Sequence, residues 1–313
     1  MQNPEYIISN KFKFALPSQQ EAIKILTRKD AFSSAMNDAD RQMRLKISEQ
    51  ISEEDFLQFI GKCVLHWDEE YQCKKLFTAF SSLKTLLFNL NPRLNIPDEI
   101  LIIKTNGKEE ANSPYTRQNA IVLPEKLITE ITERELTLLI AHEFFHVMSR
   151  YNPNFSEKLY QLIGFNLIQN FSYPDDFPCY TMLNPDAHDR TAYIEIEYKG
   201  DNSTVIPILF LNRKIEKIAK TKEFLNYQLF KLLVIEKINN RWQVKRENNE
   251  LLLLDLNEVN GFFEKISENT FYNFHPEELL AVNFTFLIEQ KRDLPAPEIL
   301  DKIQSILFAR SIY

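Results

Sequence analysis

The stretch TERELTLLIAHEFFHVMSR, residues 132–150, decides how this chain is read. It opens with Thr132 and Glu135 at the spacing of a capping box, in which hydroxyl and carboxylate reciprocally satisfy free N–H groups at a helix start. Leu136, Leu138, Leu139, Ile140, Ala141, Phe144, Phe145, Val147 and Met148 then surround the helix axis and leave almost no polar face. A helix apolar all round is a buried one. It is predicted to run to about Arg150, with Asn152-Pro153 ending it. Inside it sit His142, Glu143 and His146. On a helix, positions i and i+4 differ by about 40° of rotation and 6 Å of rise, so both imidazoles reach one metal ion at about 2.0–2.1 Å. Glu143, about 100° further round, can take a proton from a water beside that ion without ligating it. Buried polar groups without partners are costly, and a metal supplies the partner. Two of the chain's 5 histidines are spent on this motif.

Outward from this helix, the first ninety residues read as helical. Ser18 and Glu21 form another capping box, and Ser52 with Asp55 resembles one. Cys73, Phe77, Phe80, Leu83 and Leu87 recur at steps of three and four, which gives an apolar helix face, and Pro92 stops that helix. The β-branched run at 99–105 predicts a strand, and Ala120, Ile121, Val122 and Leu123 another, joined by a link rich in turn residues. A helix is expected near 155–170, then a loop through Asp189. Residues 191–212 and 230–255 read as β-hairpins, with Asn239-Asn240 and Asn248-Asn249 at turns. Helices open at Pro276, running to about Lys291, and at Pro297. The expected fold is α+β, with helical N- and C-terminal regions and small antiparallel sheets between them. The expected divisions are a helical region at 1–95, a catalytic core at 96–190, a β-rich insertion at 191–255 and C-terminal helices at 256–313, all within one compact unit.

Composition narrows the function classes. A net charge of −7 argues against nucleic acid or an anionic membrane as partner. Five glycines cannot build a P-loop or a dinucleotide fingerprint. Cys63, Cys73 and Cys179 lack CxxC spacing and read as buried or free thiols in a reducing compartment. No signal peptide and no membrane-spanning run is visible, so the expectation is a soluble protein, cytoplasmic or exported without a visible signal. Abundant Asn, Lys and Ile with little Gly suggests an AT-rich bacterial genome. The sequence carries no signal of oligomeric state.

A catalytic zinc site needs a third protein ligand and an open position. A metzincin would continue with Gly and His where Ser149 and Asn152 stand, and thermolysin-like spacing falls on Phe165 and Asn166, so both patterns fail. Glu157, Asp175, Asp176, Asp186 and the pair Glu277–Glu278 are the candidates, and Glu278 is favoured because HPEELLAVNF, 275–284, starts a helix that can aim a carboxylate at the first one. Acidic residues also suit any first turn, where they meet the helix dipole.

The stretches SPYTRQNAIVLP (113–124), HEFFHVMSRYNP (142–153), LYQLIGF (159–165), NPDAH (184–188) and NTFYNFHPEELLAVNF (269–284) together resemble a largely uncharacterised group of bacterial gluzincin-type HExxH zinc metallopeptidases. The resemblance implies a zincin-like core and one zinc ion held by His142, His146 and Glu278, with Glu143 as general base and a peptide or protein as substrate. The prenyl-protein endopeptidases are a more distant likeness, through a Glu followed four residues later by Asp. Val282 stands there in this chain, so an Asp that orients a histidine is either missing or replaced from elsewhere, with Asn283 as the candidate. In gluzincins the strand before the metal helix lines the cleft, which assigns Ala120, Ile121, Val122 and Leu123 to an open edge. Tyr193, His188, His275 and Arg190 are candidates for stabilising an oxyanion. Two alternatives stand beside the peptidase: an inactive peptidase-like binding or regulatory module, and a non-peptidase zinc hydrolase such as a deformylase. Glu143 argues against the first, and the settings of Cys63 and Cys73 argue against the second.

Overall fold

The structure, a computed structural model, describes residues 5–9, 11–169, 171–174, 177, 182–211, 228–266, 268–270 and 275–308. Strands β1 (Glu5–Ile7) and β2 (Lys13–Ala15) precede helices α1 (Gln19–Leu26), α2 (Ala31–Ala35), α3 (Asp38–Leu45), α4 (Glu53–Cys63) and α5 (Glu70–Leu87). Strands β3 (Glu99–Thr105), β4 (Tyr115–Arg117) and β5 (Ala120–Pro124) lead into α6 (Glu125–Glu130), α7 (Glu133–Tyr151) and α8 (Pro153–Leu162). Then come β6 (Phe165–Ile168), β7 (Thr191–Tyr198), β8 (Asp201–Leu211), β9 (Gln228–Ile238) and β10 (Arg241–Val244). Four two-residue strands follow: β11 (Arg246–Glu247), β12 (Glu250–Leu251), β13 (Leu253–Leu254) and β14 (Val259–Asn260). Helices α9 (Phe262–Ile266), α10 (Pro276–Glu289) and α11 (Glu298–Leu307) close the described chain.

The mixed α and β content agrees with the α+β reading, but the first sheet differs from expectation. Its order is β1-β2-β3-β5-β4, and β2–β3 and β3–β5 are parallel. The region at 1–95 is therefore not wholly helical. Its two short strands join β3 through a crossover of five helices, the kind of long connection parallel strands require. The link between β3 and β5 also contains a strand, β4, which pairs antiparallel with β5. The second sheet is antiparallel throughout and larger than expected, with β10-β9-β8-β7-β14 in order and β6 and β13 attached. Its turn at Asn239-Asn240 and that of the separate β11–β12 pair at Asn248-Asn249 fall where the sequence puts them, with positive φ at all four residues.

The helix expected at 155–170 stops at Leu162. Gly164 adopts φ +77, and a Cβ there would lie 3.0 Å from the Lys265 Cβ, so the chain turns and enters β6. The capping boxes at Ser18–Glu21 and Thr132–Glu135 form, and Ser52 caps α4. Helix α7 packs against α5 and α10 in one core that draws on residues from Ile8 to Phe308. Phe144 stacks on Phe12 with centroids 5.4 Å apart, and Phe145 lies 5.5 Å from Phe284 of α10. Each buried aromatic contributes about 1.5–3 kcal/mol, which offsets the cost of carrying Glu143 and His146 inside. No helix among the described residues is long and apolar enough to cross a membrane.

Candidate metal centre

Helices α7 and α10 build the site together. His142 and His146 stand one turn apart on α7, with ring centroids 4.8 Å apart. Helix α10 begins at His275, whose Nδ1 accepts from the Glu277 N–H at 3.1 Å, and Pro276 fixes the first turn. That start presents Glu277 and Glu278 to α7 about 100° apart, so they address different atoms. Glu278 Oε2 lies 3.2 Å from His142 Nε2 and 3.5 Å from His146 Nε2. Glu277 Oε1 lies 3.3 Å from the other nitrogen of His146, Nδ1. Ligands about 2.0–2.1 Å from a tetrahedral ion are about 3.3 Å from one another. The two separations from Glu278 match that spacing, and the ligand atoms of His142, His146 and Glu278 all lie within 4.8 Å of one another, so the trio can hold a metal ion.

A second layer of side chains fixes the first. Glu277 Oε2 accepts from Tyr160 at 2.6 Å, from Arg190 Nη1 at 2.8 Å and from Ser149 at 2.9 Å. Burial opposes ionisation of Glu277, but the Arg190 guanidinium and then His146 outweigh it and hold its carboxyl at about 2. An ionised Glu277 keeps the proton of His146 on Nδ1 and leaves Nε2 to face the metal position. Asn184 Nδ2 donates to Glu278 Oε1 at 2.8 Å and leaves Oε2 turned toward the histidines.

Glu143 is buried, and its Oε2 has no hydrogen-bond partner among the described residues. Burial, and next the nearby Asp186, hold its carboxyl well above the usual range. Burial also works against charge on His146, yet Glu278 and Asp186 prevail and raise it well above the usual imidazole value. The cluster thus gathers four carboxylates, from Glu143, Asp186, Glu277 and Glu278, against two guanidiniums, from Arg150 and Arg190. The unpartnered Glu143 oxygen and the two imidazole nitrogens that face Glu278 fit a metal ion in this cluster.

The other sequence-derived candidates stand elsewhere. Tyr193 packs on Trp242 at 5.1 Å, within the apolar cluster on one face of the second sheet. His188 lies 5.3 Å from Phe32, and its Nδ1 is 3.3 Å from the Pro185 carbonyl. His275 is spent on the α10 cap, and Arg190 acts on Glu277 and the Ser149 carbonyl. Glu157 is exposed on α8. Asp175, Asp176 and Cys179 lie outside the described residues. Asn283 does not orient a histidine: it accepts from Asn269 and donates to the Leu279 carbonyl, while Glu277 takes the orienting role.

The open edge assigned to Ala120, Ile121, Val122 and Leu123 is corrected by the sheet. These residues belong to β5, fully buried between β3 and β4 and paired on both flanks. The reason is β4, three residues hidden among turn formers. Asn184, Tyr160, Ser149 and Thr116 are contributors that the sequence reading did not single out. Ser149 carried a signal, three residues beyond His146 on the same helix, and Tyr160 and Asn184 fall within stretches that carry the resemblance. Solvent reaches the cluster at His142 and Glu278, whose side chains are 22% and 12% exposed. Two surface cavities of about 330 Å³ lie away from it, one beside Lys24 and Arg28 and one between α5 and α7. No known protein family, curated protein or solved structure matches the chain.

Proposed function

We propose that this protein is a zinc-dependent metallopeptidase of gluzincin type, with His142, His146 and Glu278 as zinc ligands and Glu143 as general base. The observation that carries the reading is the convergence of His142 Nε2 and His146 Nε2 of α7 on Glu278 Oε2 of α10 at 3.2 and 3.5 Å, with His142 and Glu278 136 residues apart in sequence. Two nitrogens and one carboxylate oxygen are a donor set suited to zinc, and three protein ligands leave the open position that catalysis needs. A zinc ion there supplies a Lewis acid that lowers the pKa of water to about 7. Glu143, through its free Oε2, would take a proton from water at that open position. Burial raises its basicity above that of an ordinary carboxylate. Glu277 holds His146 in the tautomer that ligates through Nε2, and Asn184 holds Glu278. Glu277 and Arg190 position this machinery and do not touch substrate.

The test is digestion of an unbiased peptide library by zinc-loaded wild type and Glu143→Gln. Wild type is expected to cleave. The variant should keep its zinc and lose about 10²–10⁴-fold in turnover, the usual contribution of a general base. A variant within about tenfold of wild type contradicts the role of Glu143.

A further inference from the structure

With β5 paired on both flanks, the outer edge of the first sheet is β4. Thr116 stands opposite Ile121 of β5, but its N–H points away and donates to Asp186 Oδ1 at 3.0 Å. The Thr116 hydroxyl donates to the same oxygen. Asp186 sits in a run of turns at 185–189 anchored at both ends. On one side, the Leu183 N–H donates to Asp40 Oδ2 and its carbonyl accepts from Arg44. On the other, Arg190 is bound to Glu277. Arg150, one turn past His146 on the same face of α7, donates to the Thr116 hydroxyl at 2.7 Å and to the Gln118 carbonyl at 2.8 Å, and lies 3.6 Å from Asp186 Oδ1. Asp186 also reaches the metal centre: its carboxylate, that of Glu143 and a His146 nitrogen lie within 4.8 Å of one another. It therefore bridges the outward backbone donor of β4 and the general base.

A peptide that adds to a sheet edge offers carbonyl oxygens to outward N–H groups. At Thr116 that acceptor position is filled by a carboxylate oxygen of the chain itself. We infer that the 185–189 turn is a built-in stopper: Asp186 takes the place of a backbone carbonyl of an extended peptide on β4, and a peptide gains this edge only by displacing it. The inference rests on the peptidase reading. A rival role, in which Asp186 positions Glu143, predicts the opposite effect of removing it. The bonding favours the stopper, because Asp186 is held by Thr116 and Arg150 while the neighbouring Glu143 Oε2 accepts no hydrogen bond. Displacement breaks no covalent bond and needs only the turn to swing between its anchors.

Casein carrying a quenched fluorophore is the substrate for the test, with zinc-loaded full-length wild type, Asp186→Ala and Asp186→Asn. Amide exchange at Thr116 is measured on the same three proteins. Asp186→Ala should raise kcat/KM by about tenfold or more, the scale of one charge-assisted hydrogen bond. Asp186→Asn, which keeps an acceptor oxygen but loses the charge facing Arg150, should fall between. Thr116 exchange should accelerate in the alanine variant while the amides of Tyr115 and Arg117 stay protected. Turnover at or below wild type in both variants, with zinc content unchanged, overturns the stopper in favour of the positioning role. Thr116 exchange unchanged in Asp186→Ala overturns it as well. Casein left intact by all three proteins, with Thr116 exchange accelerated, overturns the peptidase reading and the gating role together, and leaves only a structural contact.

Discussion

Two carboxylates, the buried Glu109 and the half-buried Glu278, behave in opposite ways. Glu109 follows β3 in the link to β4, and Glu278 opens α10 beside α7. Burial pushes both toward the neutral form. At Glu109 burial wins, Thr105 and Cys63 pull back only in part, and the carboxyl stays above its usual range. The nearby guanidinium of Arg44 is already committed to Asp40 and Glu110. At Glu278 burial loses, because His146 and His142 hold the carboxylate well below its usual range. A buried carboxylate keeps its charge only where the surroundings are arranged for it. The Arg44 cluster closes on itself and fastens α3 to the link before β4. In the α7–α10 cluster a carboxylate oxygen and two imidazole nitrogens converge on one point. The first is architecture, and the second has room for an ion.

Titration separates the two regions by the largest margin. In metal-free protein, Glu277 carries a folded pKa of about 2 against an ordinary 4.5. The folded state therefore binds fewer protons between these values. The stability this gives is fully present above about pH 4.5, is lost as pH falls toward 2, and amounts to about 3 kcal/mol. Glu109 has the opposite sign: its raised carboxyl favours the fold at low pH, and that contribution is lost as pH rises through its folded value. Thermal melts from pH 2 to 7 on Glu277→Gln and Glu109→Gln should show opposite slopes relative to wild type. Parallel curves break the comparison.

A smaller effect, about 10–100-fold in zinc affinity, is expected from Glu277→Gln, because the amide no longer holds the His146 proton as a carboxylate does. Glu109→Gln should leave zinc affinity unchanged and alter stability by less than about 1 kcal/mol, since a near-isostere replaces a carboxyl that burial already disfavours in its charged form. Competition with a zinc-binding dye reads both variants. Equal losses in the two would mean that metal binding responds to buried negative charge in general and not to the His146–Glu277 contact.

Helix α7 was legible because its signals are local: the Thr132–Glu135 box, the apolar surround and the i, i+4 histidines all lie within one segment. Glu278 was reachable for a similar reason, since HPEE announces a helix start. Its neighbour was not. Adjacent residues on a helix turn 100° apart, and only the packing of α10 on α7 decides that Glu277 meets Nδ1 of His146 while Glu278 meets Nε2. The edge status of β5 also lay beyond sequence reasoning. It depends on β4, whose three residues are flanked by turn formers, and on a pairing register that no local periodicity records. The parallel joining of β2 to β3 is non-local too, spanning five helices. Tyr193, His188, His275 and Arg190 carry side chains suited to oxyanion chemistry, but residue type alone cannot show which of them the fold spends on caps, stacking or ion pairs.

The central claim is that one zinc ion sits between α7 and α10. Diffraction data from zinc-loaded crystals, collected on both sides of the zinc absorption edge, test it directly. A single anomalous peak is expected about 2.0–2.2 Å from His142 Nε2, His146 Nε2 and a Glu278 carboxylate oxygen, with Glu143 not among the ligands. A peak ligated through Asp186 and Glu143, or no peak in this cluster, would contradict it.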